Sequence, residues 1–244
     1  MSDEVSAGGS RIYRHSQSSS ESERISGGDP VLIEGVHAHI AKNFPGAVGS
    51  VLHELVSPGV HLDVHLVEPT DAFPFKRLVT CGMAEAAMTV PEDFGETPFA
   101  ELTIALPTSW PMSQEAFRDE NVYWPVRLLK MLGRLPQTFS TFLWHGHTIP
   151  NGDPARPYAS GTKLCCALIG PPLLVPDGFT TMALPDGRTV RFLAVIPLYE
   201  DEMRRKLERG SDALYEGFEK HALTDVVDPK RTSTVQSRRG FFRR

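Results

Sequence analysis

The sequence predicts an α+β fold, a single domain whose mostly antiparallel β-sheet is flanked by α-helices. Three observations predict it. Apolar residues alternate strictly from Val60 to Val67, an Asp186-Gly187 pair separates two apolar runs as a hairpin turn would, and helical apolar spacing recurs near both ends and mid-chain. The chain has 244 residues, 41% hydrophobic and 23% charged, which is enough to bury one sizeable core. No apolar run approaches the ~20 residues that cross a bilayer. The N-terminus MSDEVSAGGS has neither a basic n-region nor an apolar h-region, so a cytoplasmic chain without membrane insertion is expected.

In order, Asp29-Pro30 reads as an N-cap followed by proline at the first helical position. Leu32, Ile33, Val36 and Ile40 keep helical spacing until Phe44-Pro45-Gly46 stops it. Val60, Leu62, Val64 and Leu66 then form one face of a strand, with His61, Asp63, His65 and Val67 on the other. Phe75 to Met83 and Ala100 to Leu106 are two further strands, close enough in sequence to pair with the first as an antiparallel meander. A long helix follows, with Trp124, Leu128, Met131, Leu132 and Leu135 on one stripe, and Pro136 is expected to end or kink it. Leu164 to Ile169 is a short apolar run stopped by Gly-Pro-Pro, and the hairpin joins Phe179–Ala183 to Thr189–Ile196. Pro197 is expected to open a helix with i,i+4 pairs Glu200/Arg204, Asp201/Arg205 and Glu202/Lys206. Ser211 is expected to cap a last helix through His221, with Leu214, Tyr215 and Phe218 inward.

The domain reading is therefore a Ser/Gly-rich disordered leader over 1–29, a folded unit over 30–228 and a basic flexible tail over 229–244. The leader holds nine Ser and four Gly with no apolar period. The net charge of −5 averages unlike segments: six of the 25 basic residues lie in the tail, and all 30 acidic residues precede it. This leaves −11 on residues 1–228 and +6 on the tail. An acidic body suits a basic partner, and nucleic acid is expected to concern only the tail. The three cysteines, Cys81, Cys165 and Cys166, form no framework and read as buried small hydrophobes.

Two clusters could carry chemistry. His61-x-Asp63-x-His65 puts two imidazoles and a carboxylate on one strand face, and His145-x-His147 lies downstream in the turn-rich segment Phe142-Leu-Trp-His-Gly-His-Thr-Ile-Pro-Asn-Gly-Asp-Pro. Binding candidates are accordingly His61, Asp63, His65, Trp144, His145, His147, Asn151 and Asp153. No catalytic residue, metal ligand or cofactor site is assigned. Nucleophile-elbow, Walker A and dinucleotide motifs are absent. His53-Glu54 lacks the second histidine at i+4 that a metalloprotease helix needs. Trp110, Trp124 and Trp144 are alternative apolar anchors for an interface.

The succession HLDVHLVEPT (61–70), FKRLVTCGMAEAAM (75–88), AELTIALPTSW (100–110), YWPVRLLKMLGRLPQTFSTFLWHGHTIP (123–150), FLAVIPLYEDE (192–202) and LTDVVDPKR (223–231) resembles the bacterial Suppressor-of-fused domain proteins. Ala84 stands where Ser is expected in many relatives. The resemblance implies one α+β domain equivalent to the N-terminal part of the animal Hedgehog-pathway regulator, which sequesters a transcription factor. The additional C-terminal portion of the animal protein has no counterpart here, so a Hedgehog-type role is not expected. For stand-alone bacterial members it implies a non-enzymatic immunity protein that neutralises a toxin of a contact-dependent or polymorphic system. Two alternatives remain open on the residues: a metal-dependent hydrolase built on His61, Asp63, His65, His145 and His147, and a regulator of a transcription-associated partner.

Overall fold

The computed structural model describes residues 4–15, 27–53 and 60–235. The first helix, α1, spans Pro30–Asn43 as expected: Asp29 accepts from the amides of Val31 and Leu32, and Leu32, Val36 and Ile40 are fully buried. Each such side chain contributes roughly 2 kcal/mol. Strand β1 (Val48–Leu52), broken in pattern by Gly49 and Ser50, was not legible as a strand. It pairs with β2 (Asp63–Val67), which continues into β3 (Phe75–Cys81) and β4 (Phe99–Pro107) as the expected antiparallel meander.

Helix α2 covers Glu120–Phe139. It runs three residues past Pro136, whose ring is buried, and ends where Ser140 adopts a left-handed φ of 48° and donates its amide to the Pro136 carbonyl. Along the expected stripe, Trp124, Leu128 and Leu132 are buried, whereas Met131 is exposed. The short β5 (Thr148–Pro150) and β6 (Cys166–Gly170) follow. The hairpin of β7 (Thr181–Ala183) and β8 (Thr189–Leu198) then turns at Gly187, whose φ is 92°.

Pro197 lies inside β8, opposite Ala167, so α3 (Glu200–Arg209) starts later than expected. Of its three expected ion pairs only Glu200–Arg204 forms, at 2.8 Å. Asp201 accepts from Ser233, Arg205 donates to the Ala213 carbonyl, and Glu202 is buried against Arg231. Gly210, not Ser211, caps α4 (Ser211–Lys220); Leu214 and Phe218 are buried and Tyr215 is half-buried.

The sheet order is β1-β2-β3-β4-β8-β6-β5, with β7 beside β8 and the β4–β8 pair parallel. Helix α2 covers one face, where it meets Leu62, Val64, Leu66, Leu193 and Val195. The other face carries α1 over Val67, Val79 and Phe192, and α4 over Ala194, Ile196 and Leu198. Coverage on both sides explains why all five residues of β2 are buried despite its alternating pattern.

Both expected termini of the folded unit are exceeded. Residues 4–15, read as leader, fold back: Gly8 donates to Leu207 at 2.7 Å, Glu4 and Arg14 form a fork at 2.9 and 3.0 Å, and Tyr13 packs edge-on to Phe142. At the other end Arg231, read as flexible tail, forks onto the fully buried Glu202 at 2.6 Å, and Ser233 and Thr234 are buried. Burial alone would raise the Glu202 pKa. Arg231 and the amides of Thr234 and Tyr199 outweigh it and hold the carboxyl below its usual value. The rest of the basic tail, residues 236–244, lies outside the described residues, as do 1–3 and 16–26.

Candidate functional site

Helix α1 is pinned over the sheet at both ends. Arg188, in the β7–β8 turn, pairs with Asp29 and Asp186 and donates to the Ala84 carbonyl, fixing the helix start. His39 stacks on Phe192 at 4.9 Å and its Nε2 lies 2.8 Å from the Phe179 carbonyl, fixing the second half. The helix therefore stands off β1 and β2 along one side and leaves an open pocket of about 380 Å³. Ile33, Glu34 and His37 line it from the helix. Val51, His53, Asp63 and His65 line it from the strands.

Its floor is built by β2. Asp63 is buried; its Oδ2 lies 2.9 Å from His53 Nδ1 in a hydrogen bond, and its Oδ1 lies 3.1 Å from His61 Nε2. His65 is 4% exposed, its ring lies 6.4 Å from that of His37, and its buried Nδ1 has no hydrogen-bond partner among the described residues. A buried polar atom left in this state costs about 1–3 kcal/mol. Burial pushes the His65 pKa down to about 4 against the pull of the Asp63 carboxylate, so the ring is neutral at neutral pH.

The turn after β3 holds this floor in place. Glu101, fully buried, accepts from the Thr80 hydroxyl at 2.5 Å and the Gly82 and Ala84 amides at 2.9 and 3.0 Å. At position 84 the backbone amide makes the bond, so the missing hydroxyl is not needed there. Gly82 has φ 133°, and a Cβ on it would stand 2.0 Å from the His61 carbonyl oxygen.

The second predicted cluster lies at the far edge of the sheet, beside β5. Five strand spacings separate it from β2, about 24 Å. His147 is half-buried, packed on Phe142 at 4.8 Å and Tyr13 at 5.8 Å. Burial, with Lys206 nearby, pushes its pKa to about 4. His145 is exposed and edges onto Trp144, itself T-shaped on Phe94 at 5.0 Å. Asn151 spends its amide groups on the loop, donating to the Arg156 and Cys165 carbonyls. Asp153 is exposed and precedes a cis Pro154. In this cluster His147 is closed over by Phe142 and Tyr13, while His145 and Asp153 stay exposed.

The five donors that the metal-hydrolase alternative would join are thus divided between opposite edges. Among the described residues no three His, Cys, Asp or Glu side chains are placed to hold a metal ion. Trp110 and Trp124 are core residues, 8% and 1% exposed, and cannot serve as interface anchors. The three cysteines are buried and burial raises their thiol pKa values, as expected of small hydrophobes. Sequence reasoning missed His37 and His53. The signal available for His37 was its i+4 spacing from Ile33, and His53 was set aside as half of a broken metalloprotease motif. No helix among the described residues is long and apolar enough to cross a membrane.

Comparison with known proteins matches this architecture to one family. A search of curated sequences finds no match. Among solved structures, a Suppressor of fused homologue from Neisseria gonorrhoeae FA 1090 superposes with a TM-score of 0.62 at 16% identity, covering 84% of this chain and 98% of that one. The Sufu–Fu complex gives 0.59 at 15% identity over 83% of this chain and 92% of that one. Drosophila Suppressor of Fused gives 0.53 at 17% identity over 84% of this chain but 51% of that one. At such identities the structures speak for the fold alone. Residues 58–232, however, match the sequence profile of Suppressor of fused protein (SUFU), a span that runs from β2 to the Glu202–Arg231 pair, so the chain belongs to the Suppressor of fused family.

Proposed function

We propose that this protein is a non-enzymatic binding module that captures a basic protein, as an immunity protein captures a toxin, through the α1/β2 pocket and with the help of the net negative charge of residues 1–228. The observation that carries the reading is the contrast within the candidate set. One cluster lines an open pocket, while in the other His147 is closed over by Phe142 and Tyr13. Family membership supports a binding role, since a relative is known in the Sufu–Fu complex. The −11 charge of residues 1–228 favours a cationic partner through steering and complementarity.

The test is co-expression with the product of a neighbouring toxin-like reading frame. Rescue of growth, with a purified complex whose affinity falls as salt rises, is the expected result. A neighbour product that is toxic and neither binds nor is neutralised would overturn the reading.

A further inference from the structure

We infer that Lys206 is the buried cation of a carboxylate-binding site beside His147, with the counter-ion supplied from outside the chain. The site lies apart from the α1/β2 pocket and does not rest on the binder reading. Lys206 is 4% exposed, and lysines are almost never buried so far unless a partner neutralises them. Its own helix offers one, because Glu202 sits one turn earlier on the same buried face of α3. That carboxylate is already saturated. Arg231 forks onto both oxygens at 2.6 Å, the Thr234 amide and hydroxyl reach Oε1 at 2.9 and 3.1 Å, and the Tyr199 amide reaches Oε2 at 2.9 Å.

Among the described residues no hydrogen bond or ion pair reaches the Lys206 ammonium, and burial alone pulls its pKa below the usual lysine value. The unpartnered nitrogens of His65, Arg77 and Arg191 are sealed from solvent. That of Lys206 is not, so the small exposure left to the residue includes its ammonium and a ligand can reach it. His147 is near enough for the lysine charge to lower its pKa. The folded-back arm packs along the same region, with Gly8 on the last turn of α3 and Tyr13 on the His147 ring.

The charge selects the ligand. A metal ion or a basic side chain would meet an unneutralised ammonium, and an apolar group would leave it unpaired. His147 is neutral at neutral pH and adds no charge, and Arg205 is turned to the Ala213 carbonyl. One cation behind a narrow opening matches one flat, singly charged carboxylate. A phosphate dianion would bring a second charge that nothing buried there balances.

The experiment titrates the full chain, isotopically labelled at lysine and histidine, with acetyl-Gly-Glu-Gly-amide, acetyl-Gly-Gln-Gly-amide, acetate and phosphate at constant ionic strength. The expected result is saturable shifts of the Lys206 side chain and the His147 ring with the glutamate peptide and acetate, the glutamine peptide binding at least about tenfold more weakly. The His147 pKa should rise on saturation, because a bound carboxylate offsets the lysine charge. Lys206→Met keeps an apolar stem and should abolish the response. It should also melt no lower than the parent, since it removes a buried charge without a partner. If that variant fails to fold, the contrast between the two peptides on the parent chain decides. A glutamate peptide tighter than acetate places the carboxylate on a protein, and acetate as tight or tighter places it on a small molecule. Equal binding of the two peptides, no saturable shift at Lys206, a response that survives Lys206→Met, or phosphate tighter than either carboxylate would each overturn the assignment.

Discussion

The two histidine-bearing edges of the sheet make the most instructive comparison in the molecule. Each carries two histidines close in sequence, and in each one imidazole, buried His65 or half-buried His147, has its pKa pushed to about 4. At the β5 edge the imidazole of His147 is used up in packing: Tyr13 and Phe142 close over it, and the folded-back residues 4–15 supply one of those rings. At the β2 edge α1 is pinned over the sheet by Arg188 and His39, and an open pocket lined by His37, His53, Asp63 and His65 remains beside it. Similar composition is therefore packed into the scaffold in one place and left beside an open pocket in the other. What separates them is whether a neighbouring element completes the contact.

The comparison can be broken most forcefully at Gly82. Gly82→Ala places a methyl on the His61 carbonyl and forces a positive-φ alanine, so it should cost roughly 4 kcal/mol in denaturant unfolding and disturb the pocket floor. On the closed edge, Phe142→Ala removes a ring that touches Tyr13, Phe94 and His147. A loss of about 3 kcal/mol with unchanged partner affinity is expected from parallel melting and binding measurements.

Acid titration treats both edges alike. Each folded-state histidine pKa lies below the unfolded value of about 6.5, so the unfolded chain binds more protons and stability falls as pH drops from about 6.5 to 4. The loss attributable to His65 should approach 3 kcal/mol, with less from the half-buried His147. His65→Phe should flatten that part of the stability–pH profile. Asn151→Ala should cost about 1 kcal/mol and leave binding intact, because its side chain bonds only to its own loop. Smallest of all, His65→Phe at neutral pH should leave stability unchanged or raise it by about 1 kcal/mol, since it removes an unpaired buried nitrogen.

Much of this was legible in the chain. Strict alternation placed Asp63 and His65 on one face together with Val67, and the structure keeps them there. The Asp29-Pro30 cap, the meander and the Asp186-Gly187 hairpin depend on local chemistry and were readable for that reason. What stayed hidden depends on tertiary docking. His37 and His53 join the pocket only because β1 pairs with β2 and α1 is pinned by Arg188 and His39. Glu202 reads as a surface helix charge, yet a residue 29 positions later buries it. The leader reads as flexible by composition because its anchors, the Leu207 carbonyl and the Phe142 ring, lie far along the chain.

The central claim is that the open edge recognises the partner and the closed edge supports the fold. Hydrogen–deuterium exchange of the full chain, free and in complex with its basic protein partner, tests it most directly. The account predicts new protection over residues 31–37, 51–53 and 60–65, with exchange over 142–153 unchanged. Protection confined to 142–153, with the α1/β2 pocket exchanging as in the free protein, would contradict it.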